Sequence, residues 1–312
     1  MDDRPEGKDR RFGPVVIEAA LNGGTPKARN PHVPKAPSEI AEDALACLDA
    51  GAAIIHTHID DLSTTGETAA ERYLEGWRPI LAARPDVILC STVATGATPQ
   101  ERFAHYRPLA AEGMRMGSLD PGSVNLGTQG DDGLPGRRGF VYTNSYSDIA
   151  YLVALHDETH LGPSIAVYEP GFLRTVLAYD RAGRLPRGAL VKLYFGGAYN
   201  FLDGRRGDVT FGLPPTATAL AAYLEMMQGC DLPWSVAVLG GDVAAVGLAR
   251  TAIERGGHVR VGLEDFGGER RPANAELVAE VAAIAAQCGR PVATPGQAAE
   301  ILRLPTPALG RG

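Results

Sequence analysis

The sequence predicts a (β/α)8 barrel built as a single domain. Short apolar runs alternate with longer amphipathic stretches along the 312 residues, the pattern of βα units feeding a parallel sheet. Several runs are apolar on both faces, as strands covered by helices on both sides are. The turn after the first run, Asn22-Gly23-Gly24-Thr25-Pro26, contains glycine without spelling the G-x-G-x-x-G of an open doubly wound sheet, which is the alternative architecture.

The strand candidates, in order, are Val15–Ala20, Ala52–His58, Val87–Thr92, Met114–Ser118, Ser164–Tyr168, Leu190–Phe195, Trp234–Leu239 and Val259–Glu264. Helices are expected between them. Ser38-Glu39-Ile40 reads as a capped start to a helix ending near Ala50, with Gly51 beyond it. An alanine-rich helix spans Ala69–Ala83, and Thr98-Pro99-Gln100-Glu101 opens one running to about Glu112. Further helices are expected near Ser147–His160, Gly171–Ala182, Pro215–Gln228, Asp242–Arg255 and Ala273–Gly289. Residues 14–304 form the barrel in this reading, with polar tails at 1–13 and 305–312. The long polar stretch Asp120–Tyr146 follows the fourth strand, where it is either a lid or a plain surface insertion.

A hydrophobic content of 45% suits a large core. The formal net charge of −7 argues against a nucleic-acid-binding surface. Cys47, Cys90, Cys230 and Cys288 are far apart with no Cys-x-x-Cys, the usage of a reduced cytoplasmic protein with buried thiols. No apolar stretch approaches the length of a membrane span, and the charged N-terminus lacks a signal-peptide core.

The most informative motif is His56-Thr57-His58, which closes the apolar run Ala52-Ala53-Ile54-Ile55. Residues two apart on a strand share a face, so both imidazoles can reach one point at the strand's end. Catalytic groups of a barrel sit at that end. Paired imidazoles suit a borderline-soft cation, most often zinc, although core histidines satisfied by hydrogen bonds are an equal alternative for the pair alone. The eighth run supplies a candidate third ligand in Val259-Arg260-Val261-Gly262-Leu263-Glu264-Asp265. Burying two acids there is costly unless they are paired or bound to a cation. Arg260 and Glu264 share parity, and Asp265 begins the next turn. A helix-capping acid pair or a salt bridge is the structural alternative. Ser91, Thr92, Ser118, Asp120, Glu169, Glu18 and Asn22 also collect at strand ends; each alone reads as a cap or turn residue, and their recurrence favours a site. His32 could face it, whereas His105, His156, His160 and His258 read as structural.

Together, Leu21-Asn22-Gly23-Gly24, Ala50 to His58, and Gly256 to Asp265 resemble the β-keto acid cleavage enzymes, as does Gly289-Arg290-Pro291-Val292-Ala293-Thr294-Pro295. The resemblance runs from about Val15 to Leu302. It implies a (β/α)8 barrel with one zinc per chain held by His56, His58 and Glu264. It implies Asp265 as general base, oriented by Arg260, and Ser91 and Ser118 as groups binding the acid end of the substrate. Thr92, Asn22 and Glu18 complete the candidate substrate-binding set. The implied reaction is a Claisen-type exchange in which a β-keto acid and the co-substrate acetyl-CoA give acetoacetate and a new acyl-CoA, with Asp265 generating the acetyl-CoA carbon nucleophile. A closed homo-oligomer, dimer or tetramer, is the family's usual assembly.

The chain departs from the family where cationic-substrate members carry acids, with Thr25 in the first loop and Ala166 on the fifth strand. That points to a neutral or apolar β-keto acid. A metal hydrolase of the amidohydrolase kind is the competing enzyme reading. That class carries its H-x-H on the first strand and histidines on strands five and six, which this chain lacks; Lys192 alone could mimic its bridging lysine. A non-catalytic metal- or ligand-binding barrel is the third reading. For the CoA phosphates the sequence offers Gly240-Gly241-Asp242 at a helix start and Arg137-Arg138.

Overall fold

The computed structural model describes residues 12–306 apart from 137–139 and 202. Its strands are β1 (Ile17–Ala20), β2 (Ile54–Thr57), β3 (Ile88–Ser91), β4 (Met116–Leu119), β5 (Val124–Asn125), β6 (Val141–Tyr142), β7 (Gly162–Val167), β8 (Leu190–Gly196), β9 (Trp234–Leu239) and β10 (His258–Val261). Eight of these close a barrel in the order β1-β10-β9-β8-β7-β4-β3-β2, and every pairing is parallel. The molecule is thus the (β/α)8 barrel that the alternation predicts. β5 and β6 form an antiparallel ribbon inside the 120–146 insertion. The helices are α1 (Pro37–Ala50), α2 (Gly66–Ala83), α3 (Pro99–Arg102), α4 (Tyr106–Ala111), α5 (Tyr146–Thr159), α6 (Pro170–Arg181), α7 (Ala217–Met226), α8 (Leu248–Glu254), α9 (Asn274–Gln287) and α10 (Pro295–Leu302).

Alternation along each strand sorts residues into two cores. Outward residues such as Ile17, Ile55, Leu89, Val191 and Val236 pack against the helices. Inward residues Val16, Ile54, Ile88, Cys90, Met116 and Leu190 fill the lower barrel, where Ala298 and Leu302 of α10 plug it from below. The polar inward residues lie above them, toward the C-terminal ends.

Several boundaries differ from the sequence reading. The expected helix from Thr98 to Glu112 is broken into α3 and α4. Pro108 has no N–H to give to the carbonyl four residues back, so the helix cannot run through. α1 starts at Pro37 rather than at Ser38, with Glu39 Oε2 accepting the backbone N–H of Lys35 and Ala36. Asp242–Gly247 is a turn, and α8 begins only at Leu248. Asp242 Oδ1 accepts the N–H groups of Ala244 and Ala245, so that turn is self-capped and offers no phosphate cradle. The C-terminal helix α10 was not anticipated, although Thr294 and Gln297 form the capping box that marks its start. Arg137-Arg138 and most of both tails lie outside the described residues. No described helix is long and apolar enough to cross a membrane.

Candidate active site

β2 sets out the histidines. Its register places His56 beside Ala20 of β1 and Cys90 of β3. Thr57, between the two imidazoles, points the opposite way and accepts the indole N–H of Trp77 on α2 at 3.0 Å. That outward anchor fixes the strand's rotation and thereby aims both histidines inward. His58 lies one residue past the strand and is held by Asn22. The Asn22 carboxamide accepts His58 N–H at 2.9 Å and donates to His58 O at 3.0 Å. Asn22 Oδ1 also accepts Gly23 N–H. Both ends of this side chain are therefore occupied with backbone, where they fix the position of His58.

The third candidate ligand arrives by a turn. β10 ends at Val261, so Glu264 is not the last residue of a strand as its parity with Arg260 suggested. Gly262 reverses the chain at φ 145°, and the N–H groups of Asp265 and Phe266 close back on its carbonyl. A Cβ on Gly262 would stand 2.1 Å from Ala20 O, so only glycine fits. Gly23 serves the opposite wall, since a Cβ there would meet Glu264 Cγ at 2.4 Å. Asn274 braces the turn by accepting Leu263 N–H and donating to Leu21 O, each at 2.8 Å.

His56 Nε2 and His58 Nε2 each lie 3.3 Å from a Glu264 carboxylate oxygen. One ligand atom from each of the three residues falls within 4.8 Å of the others. His58 Nε2 and Glu264 Oε2 are buried and make no hydrogen bond. Unbonded donor atoms facing one another are costly in a protein interior unless a cation takes them. Burial drives His56 well below its ordinary range, so it is neutral and can offer a lone pair. For Glu264, burial works against the charge, but Arg260, His58 and His56 outweigh it and keep the carboxylate ionised. Two imidazoles and a carboxylate are a catalytic-type zinc set with room for further ligands.

Arg260 stands beneath this cluster, 1% exposed. Its Nε donates to Asp265 Oδ2 at 2.7 Å, and its NH2 lies 2.9 Å from Glu264 Oε1. Its NH1 donates to Glu18 Oε1 at 2.6 Å, which Lys192 Nζ approaches at 3.4 Å. Burial opposes the guanidinium's charge, but Asp265, Glu264 and Glu18 hold it firmly protonated. Asp265 is raised above the usual carboxylate range, chiefly by burial and in part by Glu264. A raised carboxyl fixed by an arginine suits a general base.

The remaining candidates separate by face. Ser118 and Asp120 continue the inward row of β4, and Ser118 Oγ donates to Ser91 O at 3.1 Å. Thr92 carries on the inward parity of Ile88 and Cys90. Ser91 does not: it shares the outward face with Leu89, and its hydroxyl donates to Met114 Sδ at 3.3 Å. The assignment of Ser91 as a substrate-binding hydroxyl is corrected by this parity. Glu18 is likewise corrected, since it is 1% exposed and committed to Arg260 and Lys192. Glu169 accepts the N–H of Gly212 at 2.9 Å. His32 is exposed in the first loop. His258 accepts Val16 N–H at the bottom of the barrel, while His105 and His156 bond backbone carbonyls.

Sequence reasoning missed the aromatic wall. Tyr142, delivered by the ribbon of the insertion, donates to Asp120 Oδ2 at 2.6 Å and meets Tyr168 edge-on. Tyr168 packs in turn on Tyr194 and Phe211, and the Arg260 guanidinium lies 5.7 Å from the Tyr194 ring centre. The signal was present in the inward parity of Tyr168 and Tyr194; nothing local shows that Tyr142 joins them. A cavity of about 660 Å³ opens beside this wall between the loops after β8, β9 and β10, lined by Tyr199, Phe211, Leu213, Val238, Val246 and Phe266 among others. It does not touch the three ligands. It shares Val238, Gly241, Asp242 and Phe266 with a narrow crevice lined by Arg260 and Asp265.

Fold and site together define a barrel with a candidate His2Glu metal centre and an acid–guanidinium pair at its C-terminal face. The family model of the beta-keto acid cleavage enzymes matches residues 14–304, and the chain belongs to that family. It is 30% identical to the 3-oxoadipate:acetyl-CoA acetyltransferase of Cupriavidus necator over 303 residues, covering 94% of this chain and 96% of that protein. It is also 30% identical to the 3-keto-5-aminohexanoate cleavage enzyme of Acetoanaerobium sticklandii, covering 92% of this chain and 97% of that one. Among solved structures, ObcA superimposes with a TM-score of 0.70 at 18% identity, covering 90% of this chain and 67% of that chain, a likeness of fold.

Proposed function

We propose that this protein transfers the acyl group of a neutral β-keto acid to CoA, using acetyl-CoA and releasing acetoacetate. The observation that carries this reading is the convergence of His56, His58 and Glu264 within 4.8 Å, next to the Arg260–Asp265 pair, in a member of this family. The donors fit zinc, which would be held by those three side chains. When bound, it supplies Lewis-acid polarisation of the keto acid's oxygens.

Carbon bookkeeping decides what Asp265 does. Acetoacetate joins the acetyl group of acetyl-CoA to C1 and C2 of the keto acid. The nucleophile is therefore C2 of the keto acid and not the methyl carbon of acetyl-CoA, which corrects the expectation drawn from the sequence. Asp265 takes a proton from C2. C2 attacks the thioester carbonyl, and the CoA thiolate leaves. The thiolate then attacks the original keto carbonyl, and the C2–C3 bond breaks. C2 recovers its proton from Asp265, and the products are acetoacetate and the new acyl-CoA. Arg260 keeps Asp265 in place through the cycle.

The neutral-substrate assignment rests on the two positions where cationic-substrate members of the family carry acids. Thr25 Oγ1 is committed to Leu263 O at 2.8 Å, and Ala166 is apolar. We assign the pantetheine arm of acetyl-CoA to the 660 Å³ cavity, which shares Val238, Gly241, Asp242 and Phe266 with the crevice at Arg260 and Asp265 and is walled mainly by apolar side chains. The hydrolase reading is disfavoured because Lys192 is paired with Glu18 and β7 and β8 carry no histidine. The deciding experiment incubates a panel of β-keto acids with acetyl-CoA and identifies acyl-CoA products by mass. New acyl-CoA together with acetoacetate is expected; hydrolysis without acyl-CoA would overturn the proposal.

A further inference from the structure

Arg260 has no edge to spare. Nε and NH2 serve Asp265 and Glu264, and NH1 serves Glu18 at 2.6 Å. Glu18 comes from β1, Arg260 from β10 and Lys192 from β8, so three strands on the same side of the barrel meet inside it. Glu18 and Lys192 are 1% and 2% exposed. Two opposite charges placed this deep cost desolvation that a single 3.4 Å contact recovers only in part. A charged pair with no solvent contact and no place in the metal cluster needs another explanation.

We propose that Glu18 and Lys192 act as one charge-balanced positioning unit for the Arg260–Asp265 pair. Glu18 clamps the guanidinium edge farthest from Asp265, and this sets the tilt of the edge that faces Asp265. Lys192 neutralises Glu18 without competing for Arg260, because its ammonium approaches the same oxygen from β8. The pair adds no net charge, while Glu18 favours the charged form of Arg260 and Lys192 that of Asp265. What it adds is rigidity: a guanidinium bonded on three sides cannot swing up to meet the carboxylate of the substrate. The keto acid's carboxylate must then be received elsewhere, for which the inward position of Thr92 offers a hydroxyl. Both residues are positioning residues, acting through Arg260.

This inference rests on the functional reading above, and the test separates the two. Turnover by the unmodified protein on the β-keto acid panel tests the reading. The inference is tested by Glu18→Gln, Lys192→Met and the double variant, each followed by zinc content, thermal midpoint, kcat and both KM values. Glu18→Gln is expected to lower kcat about tenfold with both KM values within about twofold, because a neutral carboxamide clamps Arg260 more weakly than a carboxylate does. Lys192→Met is expected to lose more, since the buried Glu18 charge is then balanced by Arg260 alone, which Asp265 and Glu264 also share. The double variant is expected to recover activity over Lys192→Met at full zinc content. Two results would overturn the inference. One is a lowered thermal midpoint with kcat unchanged in all three variants, which makes the pair structural only. The other is a rise of about tenfold or more in KM for the keto acid with kcat retained in Lys192→Met, which makes Lys192 a substrate contact. If Lys192→Met fails to fold, Glu18→Gln and the double variant decide between these outcomes.

Discussion

Arg260 Nε donates to Asp265 Oδ2 at 2.7 Å where both side chains are buried at the edge of a narrow crevice. The two residues are five apart in sequence, and the Gly262 turn between them is what brings the carboxylate back over the guanidinium. The base of the proposed reaction is thus held by the strand it follows.

Asp265→Asn removes the proton acceptor while keeping the shape. Turnover should fall by about 10² to 10⁴, the usual worth of a positioned base. Zinc content should stay near that of the unmodified protein, because Glu264 is untouched. Steady-state kinetics on the best keto acid, with metal analysis of the same sample, checks both.

Removing a ligand should separate metal from fold. His56→Ala is expected to drop zinc from about one per chain to near none in a single-site reading, with the circular dichroism of the barrel retained. Asn22→Ala leaves all three ligands but frees the His58 backbone. Loss of such an orienting bond should weaken zinc binding about 10- to 100-fold, measured by competition with a chelator. Full zinc retention in His56→Ala would remove the ligand assignment.

The cavity assignment makes a one-sided kinetic prediction. Val246 lines the cavity and is 46% exposed, so a larger side chain can be tolerated there. Val246→Trp should raise KM for acetyl-CoA several-fold while leaving KM for the keto acid unchanged. A shift in the keto acid's KM alone would reassign the cavity to the acyl chain.

Stability should fall on mild acidification through the core histidines. Burial, helped by Arg290, pushes His258 down to about 3, and burial pushes His105 down to about 4. An unfolded histidine titrates near about 6.5. As pH falls from there toward those values, the unfolded chain takes up protons that the folded chain refuses, so stability is complete above about pH 6.5 and declines below it. Each histidine contributes a slope of about 1.4 kcal/mol per pH unit in that window. Urea unfolding between about pH 6 and pH 4.5 should show a shallower slope in His258→Asn, whose Oδ1 can still accept Val16 N–H.

Much of the site could be read from particular residues. His56 and His58 gave themselves away by strand parity and by the apolar run before them. Glu264 was reached through parity with Arg260, although the strand ends at Val261 and a glycine turn delivers the carboxylate. Ser91 went astray for the same reason that the histidines did not. A shift of one position along a strand reverses the face, and Ser91 pairs with outward Thr57 in the register. α10 was passed over because its eight residues make too short a period to stand out, leaving only the cap at Thr294 as a signal.

The sequence by itself determined the barrel and the shared face of His56 and His58, because hydrophobic period and strand parity are local properties of the chain; the assignment of Glu264 as third candidate ligand came with the family resemblance. The tertiary structure decided which polar residue meets which. Glu18 and Arg260 are 242 positions apart, and Glu18 and Lys192 are 174 apart. Tyr142 reaches Asp120 only through the ribbon of the insertion. Such contacts depend on how strands close and loops fold back, and a carboxylate within a strand carries no mark of the partner across the barrel that will neutralise it.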